Sequence, residues 1–327
     1  MKQAEMGGGQ VPGVVEVADP VVADNYALVK VHSAPLCTEF KHRDRARRGG
    51  FGHEAAGEVV AIGPKVQSVA VGDRVVVMPQ DACGVCELCR SGEHIYCPSP
   101  RDALKICGSA TGRFTAAQYV IQQDWLLVPI PGDISYDHAA MACCGFGPGF
   151  NAMESMEVAA GETVLISGLG PVGLGAAAVA LYRGARVVGV DPSAYRRELA
   201  RRIGVEAVFD PQENLDGRKF PYGVHVTRSD EAAKALIRMI QPRGKVAFIG
   251  QGGAIEIAAV VGKGLRLYGC WHWNHRRYAE QMMATIRGSV PRIDRMITHT
   301  FPLDRIREAI EVQVGGNCGK VIIHPWE

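Results

Sequence analysis

Four cysteines fall within fifteen residues, as Cys83-x2-Cys86-x2-Cys89-x7-Cys97. Thiolates are soft ligands, and four of them satisfy tetrahedral zinc with no position left open. Pro79, Gly84 and Gly92 mark the segment as loop, free to wrap an ion. The spacing predicts a closed structural zinc site, which steadies a lobe and does no chemistry itself. The bland alternative is four incidental thiols, which such close spacing on a polar loop disfavours.

A second pattern lies in the middle of the chain. Val164-Leu165-Ile166-Ser167 runs into Gly168-Leu169-Gly170-Pro171-Val172-Gly173, a G-x-G-x-x-G between an expected strand and an expected helix. The glycines allow a tight turn, close approach of backbone to a pyrophosphate and close helix–strand packing, and the helix start attracts the anion. The next apolar run, Val187-Val188-Gly189-Val190, ends in Asp191, eighteen residues after Gly173. A carboxylate there accepts hydrogen bonds from ribose hydroxyls and repels a 2′-phosphate, so NAD is expected over NADP. Arg196, about one turn into the following helix, is within reach of the same ribose.

Between the N-terminus and the cysteine loop, Gly52-His53-Glu54-Ala55-Ala56-Gly57-Glu58-Val59-Val60-Ala61-Ile62-Gly63 is followed by Val71-Gly72-Asp73-Arg74-Val75. With the four-cysteine loop and the glycine turn behind it, in that order, this closely resembles the zinc-dependent medium-chain alcohol/polyol dehydrogenase family over nearly the whole chain. The resemblance implies an α/β protein of two parts. One is a GroES-like β-barrel catalytic domain over 1–145, completed by a return over 270–327. The other is a Rossmann doubly wound parallel sheet over 146–269. It implies a catalytic zinc held by Cys37 and His53. The third protein ligand varies in the family: Cys144, before Gly145-Phe146, matches one branch, and Glu54 matches others. The favoured set is Cys37, His53 and Cys144, with Glu54 exchanging onto the metal or standing just behind it; Cys143 is expected in the core. Three protein ligands leave zinc open to an alcohol. The implied function is hydride transfer between a secondary alcohol or polyol/sugar and NAD, in a homo-oligomer whose other partner is the small-molecule substrate. The resemblance also places the strand ends at Ile249 and Cys270 near the nicotinamide. Trp271 and Trp273 then wall the substrate pocket or anchor core, while His272 and His275 are not expected to be ligands.

Two features depart from the family pattern. Two residues after Cys37, where the family has Ser or Thr, stands Glu39, and five residues after it His42 matches the relay histidine of one branch. Glu39 is read as general base or polyol contact and His42 as the outward proton carrier; the competing reading pairs Glu39 with a nearby cation. The preference for a polyol rests on Glu39 and His272. Cys37 and His53 are only sixteen apart, and residues 42–48 between them are strongly basic. That stretch is a solvated charged loop or, more sharply, carries an arginine that steers an anionic substrate or touches the cofactor pyrophosphate. A zinc-free reductase of C=C or quinone bonds should lack the Cys37, His53 and Cys144 set. A non-enzymatic zinc and nucleotide binder is the third reading, and Glu39 and the short gap keep it open.

The elements that must position these residues follow from the pattern of the rest of the chain. Its 327 residues suggest two domains, and 36 Lys and Arg against 34 Asp and Glu give a net charge of +2, no electrostatic case for nucleic acid or a membrane surface. No apolar signal core opens the chain, and the uncharged stretch over 163–182 reads as strand, glycine turn and buried helix rather than a span, so a cytoplasmic protein with reduced thiols is expected. Short β-branched runs over 27–32, 57–63 and 73–78 predict a β-rich first third. Beyond residue 135 helical segments give way to alternation: strands over 163–166, 186–190, 207–209 and 245–249, and helices over 171–183, 194–203 and 231–239. Between 209 and 231 the nucleotide domain looks trimmed, with Val224-His225-Val226-Thr227 where the family has a hydrophobic strand ending in a small residue. Helices over 277–286 and 303–313 and a strand over 320–324 complete the tail.

Overall fold

The computed structural model describes residues 1–7, 11–37, 49–213, 215 and 217–327. Glu39, His42 and the basic stretch 42–48 lie outside the described residues. The chain divides into two compact units: 1–143 with 274–286 and 297–327, and 144–273 with 287–296. The return to the first unit thus starts at Asn274 rather than at 270, and residues 287–296 go with the second unit.

The first unit is built on strand Tyr26–Pro35, whose Val29 and Val31 alternate into the core and which pairs antiparallel with both Ala55–Ile62 and Tyr119–Gln123. Its sheet runs in the order Ile297–Pro302, Lys320–His324, Tyr26–Pro35, Ala55–Ile62, Arg74–Val77, Leu127–Pro129. The last strand of the chain therefore lies inside the sheet, parallel to Ile297–Pro302 and antiparallel to Tyr26–Pro35. A smaller sheet joins Pro12–Glu16, Lys2–Met6 and Gly49–Gly50. One apolar core, including Val29, Val31, Leu36, Val59, Val75, Ile310 and Ile323, draws on both ends of the chain.

The second unit is a six-stranded parallel sheet in the order Ala207–Phe209, Arg186–Val190, Thr163–Ser167, Phe220–His225, Ile240–Phe248, Arg266–Gly269. Its strand order reverses between Thr163–Ser167 and Phe220–His225, the crevice where doubly wound sheets bind ligands. Helices Pro171–Tyr182, Ala194–Arg202 and Asp230–Met239 follow their strands, the latter two capped by Ser193 and Ser229 hydroxyls. The expectation of a trimmed sheet between 209 and 231 is corrected: Phe220–His225 is a full central strand. Pro221 and Gly223 are depleted from strand interiors, and a terminal histidine suggests a loop, so the pattern hid it. Among the described residues no helix is long and apolar enough to cross a membrane.

Candidate metal and dinucleotide sites

The thiols of Cys83, Cys86, Cys89 and Cys97 lie within 4.8 Å of one another. The local backbone donates to three of these sulfurs, while burial raises the Cys89 thiol. Cys86 N–H donates to Cys83 Sγ at 3.3 Å, Cys83 N–H to Cys97 Sγ at 3.3 Å and Cys89 N–H to Cys86 Sγ at 3.5 Å. The N–H groups of Val85 and Cys86 bring the Cys83 thiol down to about 6. Two buried glutamines fix the approach to this loop. Gln122 Nε2 donates to the carbonyls of Met78 and Gln80, and Gln123 exchanges hydrogen bonds with both backbone groups of Ala82. The returning segment clamps the far side: Asn274 Nδ2 donates to Ser91 O and Glu93 Oε1, and Arg276 to Arg90 O. His275 Nε2 meets Trp125 O at 2.9 Å, its ring stacks on His94, and burial pushes it down to about 4. Neither His272 nor His275 belongs to a metal cluster among the described residues.

The second cluster brings together ligand atoms of Cys37, His53, Glu54 and Cys144, all within 4.8 Å of one another. Cys37 lies just past strand Tyr26–Pro35, where Leu36 N–H donates to Val321 O and Gln313 Nε2 to Cys37 O. His53 and Glu54 lead into Ala55–Ile62. Gly52 before them has φ +92°, and a Cβ there would sit 2.5 Å from Ala116 N and 2.8 Å from Thr115 Oγ1. Only glycine lets the chain pass so close while its carbonyl accepts from Thr115 N–H. Cys143, fully buried, donates its thiol to Val77 O, and burial raises its pKa; Cys144 follows directly at the division between the units. Glu54 is 0% exposed, and both its oxygens accept from Lys320 Nζ, at 2.7 and 2.9 Å. Burial pushes the Glu54 carboxyl up to about 7, and the Lys320 ammonium pulls against that. Two thiolates, an imidazole and a carboxylate are a donor set that fits zinc. Beside His53, a cavity of about 280 Å³ opens in the first unit, lined by Gly52, Gln80, Asp81, Arg113, Phe114 and Thr115 among others.

In the second unit the glycine turn leaves strand Thr163–Ser167 at Gly168, whose φ is +99°. Gly170 caps helix Pro171–Tyr182, with Pro171 where a missing N–H costs nothing. Val172 lies in that first turn, and a Cβ on Gly173 would collide with the Gly168 carbonyl. Asp191, 3% exposed, ties the turn to the next strand: Oδ2 accepts from Leu169 N–H at 2.7 Å and Oδ1 from Ser193 N–H at 2.8 Å. Each oxygen retains a lone pair for a further donor. Arg196 Nη1 stands 3.9 Å from Asp191 Oδ2 and 3.8 Å from where a Gly170 Cβ would be. Ile249 N–H donates to His225 O and Cys270 N–H to Phe248 O, so both lie at the carboxyl edge of the sheet. Cys270 is buried, which pushes its thiol up to about 11. Trp273 is core, edge-on to Phe150, whereas Trp271 is 51% exposed. Sequence reasoning missed Lys320, the two glutamines and the polar lining of the cavity.

Residues 23–132 match the alcohol dehydrogenase GroES-like domain and residues 171–287 the zinc-binding dehydrogenase family. L-threonine 3-dehydrogenase of Photorhabdus laumondii is 32% identical, covering 96% of both chains, and that of Klebsiella pneumoniae 31% identical with the same coverage. Among solved structures, an alcohol dehydrogenase from Thermus sp. ATN1 superposes with a TM-score of 0.87 at 22% identity over 99% of both chains. Benzyl alcohol dehydrogenase from Acinetobacter calcoaceticus does so at 0.86 and 22% identity over 99% of this chain and 98% of its own. These solved structures share the fold. The chain belongs to the zinc-dependent medium-chain dehydrogenase family, with a GroES-like domain and a parallel dinucleotide-type sheet. Its class of chemistry is oxidoreduction of the zinc alcohol dehydrogenase type.

Proposed function

We propose that this chain is an NAD-linked dehydrogenase of a small secondary alcohol, with one zinc held by Cys37, His53 and Cys144 and a second closed within Cys83, Cys86, Cys89 and Cys97. The observation that carries it is the convergence of Cys37, His53, Glu54 and Cys144 within 4.8 Å. Lys320 engages both Glu54 oxygens, which favours Cys144 as third ligand and keeps Glu54 in reserve. When bound, zinc supplies Lewis acidity toward a hydroxyl group and NAD the hydride acceptor. The chain's own residues do the rest. The start of helix Pro171–Tyr182 receives the pyrophosphate beside Gly170, and Asp191 accepts from the ribose hydroxyls while disfavouring a 2′-phosphate. Arg196 stands beside both. Ile249 and Cys270 border the nicotinamide. Glu39 takes the hydroxyl proton and His42 passes it outward; Glu39→Gln should lower turnover and shift the pH–rate profile, and an unaltered profile removes that role. The case for a polyol loses one support, since His272 is only 2% exposed.

The test is zinc per chain by elemental analysis of unsupplemented protein, with NAD reduction on a panel of secondary alcohols. Two zinc ions in the native protein, one after Cys37→Ser, and NAD-dependent oxidation lost with the first are expected from the two clusters. One zinc, with turnover only on enones or quinones, would overturn the reading in favour of a zinc-free reductase. No turnover on any pair favours a non-enzymatic binder. Light scattering on the same sample checks the homo-oligomer.

A further inference from the structure

Helix Ile306–Gly315 turns one stripe inward: Ile306, Ala309, Ile310 and Gln313 are its buried residues, the last 7% exposed. The spacing i, i+3, i+4, i+7 is that of a single helix face. Ile306, Ala309 and Ile310 join the apolar core of the first unit. The fourth member is a glutamine, the one polar residue of the stripe. A leucine or methionine there would complete the apolar face, whereas a buried amide is costly unless it is hydrogen-bonded. A specific partner has to offset that cost.

That partner is the peptide of Cys37. Gln313 Nε2 donates to Cys37 O at 2.6 Å, across 276 positions of sequence. It is the one hydrogen bond this amide makes among the described residues, and its buried Oε1 has no partner among them. The amide is therefore placed for the Cys37 carbonyl and not for a network of its own. Cys37 lies where such support counts. Strand Tyr26–Pro35 ends two residues before it, and Leu36 N–H still reaches Val321 O. Gln313 carries the hold one residue further, onto the unit that bears the thiol. His53, by contrast, runs straight into a strand whose register is set, with Ala55 opposite Val77. Holding the peptide of a cysteine limits where its Sγ can stand, since the side chain has few rotamers. A zinc–thiolate bond of about 2.3 Å tolerates roughly 0.2 Å of misplacement. We propose that Gln313 is a positioning residue for the metal at Cys37, its amide holding the Cys37 peptide so that the thiolate meets the zinc shared with His53 and Cys144. This rests on the ligand set proposed above and adds a residue that acts only through Cys37. Removing a group that orients a metal ligand typically weakens metal binding by about 10–100-fold.

The test is zinc affinity at this site, with the four-cysteine site of the same molecule as reference. Gln313→Met keeps the stripe apolar at similar volume and removes the donor. It should weaken zinc at the Cys37 site by about 10–100-fold in competition with a chromophoric chelator. Zinc in the four-cysteine loop should be held as in the native protein. With cobalt reloaded at the Cys37 site alone, the thiolate-to-cobalt charge-transfer band should shift. Gln313→Asn keeps an amide one methylene short of the carbonyl and should fall between native and Gln313→Met. Ile310→Val loosens the same stripe with the hydrogen bond intact, and should lower the melting temperature without changing zinc affinity. Native affinity and an unmoved band in Gln313→Met, or an equal loss of affinity in Ile310→Val, overturns the inference and leaves the two-zinc reading standing. If Gln313→Met does not fold, Gln313→Asn decides: weaker zinc at this site alone supports the inference, and native affinity overturns it. If the native protein holds only one zinc, the ligand set itself has failed and the inference falls with it.

Discussion

Glu54 and Lys320 stand 266 positions apart in sequence and meet with both carboxylate oxygens bonded to one ammonium, the two side chains 0% and 1% exposed. Removing one member of a buried pair strands the other without water, which typically costs about 3–5 kcal/mol. Lys320→Met should therefore lower the unfolding free energy in urea by that order. Adding Glu54→Gln should recover part of it, and a double-mutant cycle with no coupling would show the pair to be inert. The same single change loosens Glu54 within the Cys37, His53 and Cys144 cluster, so zinc retention should be tracked alongside. Nothing in Lys320-Val321-Ile322-Ile323-His324 marks the lysine as buried, because a strand pattern shows alternation but not a partner across the core. Asp191 was legible by contrast as a position, since it ends a strand a fixed distance after the glycine turn. What stayed hidden is that its oxygens already accept from Leu169 and Ser193. Asp191→Ala should thus do two things: raise KM for NAD, narrowing the gap to NADP, and slacken the turn, seen as a lower melting temperature without cofactor.

Between residue and domain, the four-cysteine lobe is held by elements that a cysteine count does not reveal. Strand Tyr119–Gln123 carries Gln122 and Gln123 inward, 6% and 1% exposed, where their amides take up the backbone of residues 78–82. Gln123→Leu should leave both backbone groups of Ala82 unpaired. It should cost about 1–3 kcal/mol for each such group and release zinc more readily from the lobe. On the other side His275 donates to Trp125 O and is held neutral by burial, its pKa at about 4 against an ordinary 6.5. The unfolded chain then binds that proton more readily than the folded one. Stability tied to neutral His275 is whole above pH 6.5 and drains as pH falls toward 4. His94, stacked on it, is shifted the same way by burial, with Arg276 adding to the effect. His275→Gln keeps a donor for the Trp125 carbonyl and should flatten the fall of melting temperature between pH 6.5 and 4.5 at constant zinc; an unchanged slope places the acid sensitivity elsewhere. The fold was legible where short apolar β-branched runs or a helical period stand out, as in Arg186–Val190, Lys320–His324 and Asp230–Met239. It was not legible where burial is polar or the strand carries proline: Tyr119–Gln123, Pro12–Glu16 and Phe220–His225. The helix expected over 277–286 runs from His275 to Met296, past a non-helical Tyr278 and with Pro291 inside it. Neither residue's cost is visible without the packing that offsets it.

The first unit is assembled from three separated stretches, and its sheet is complete only when Lys320–His324 inserts between Ile297–Pro302 and Tyr26–Pro35. Its apolar core draws on both chain ends, and the Glu54–Lys320 pair bridges the same two regions. Cys37, His53 and Glu54 therefore sit on a framework that side-chain packing already holds. The Cys83, Cys86, Cys89 and Cys97 loop has little apolar packing of its own, since between Cys83 and Cys97 the buried side chains are Cys89 and His94, and polar contacts hold it instead. A closed site of four thiolates also binds zinc more completely than a site with three protein ligands and an open position. These two contrasts order the loss of metal. Stepwise chelation should first remove the zinc at Cys37 and His53, abolishing turnover while the melting temperature hardly moves. A stronger chelator should then strip the four-cysteine loop, and only there should the melting temperature fall, because metal affinity in that loop is folding free energy. If both ions left together, or if the first departure melted the protein, the sheet closure would not be what holds the open site in shape.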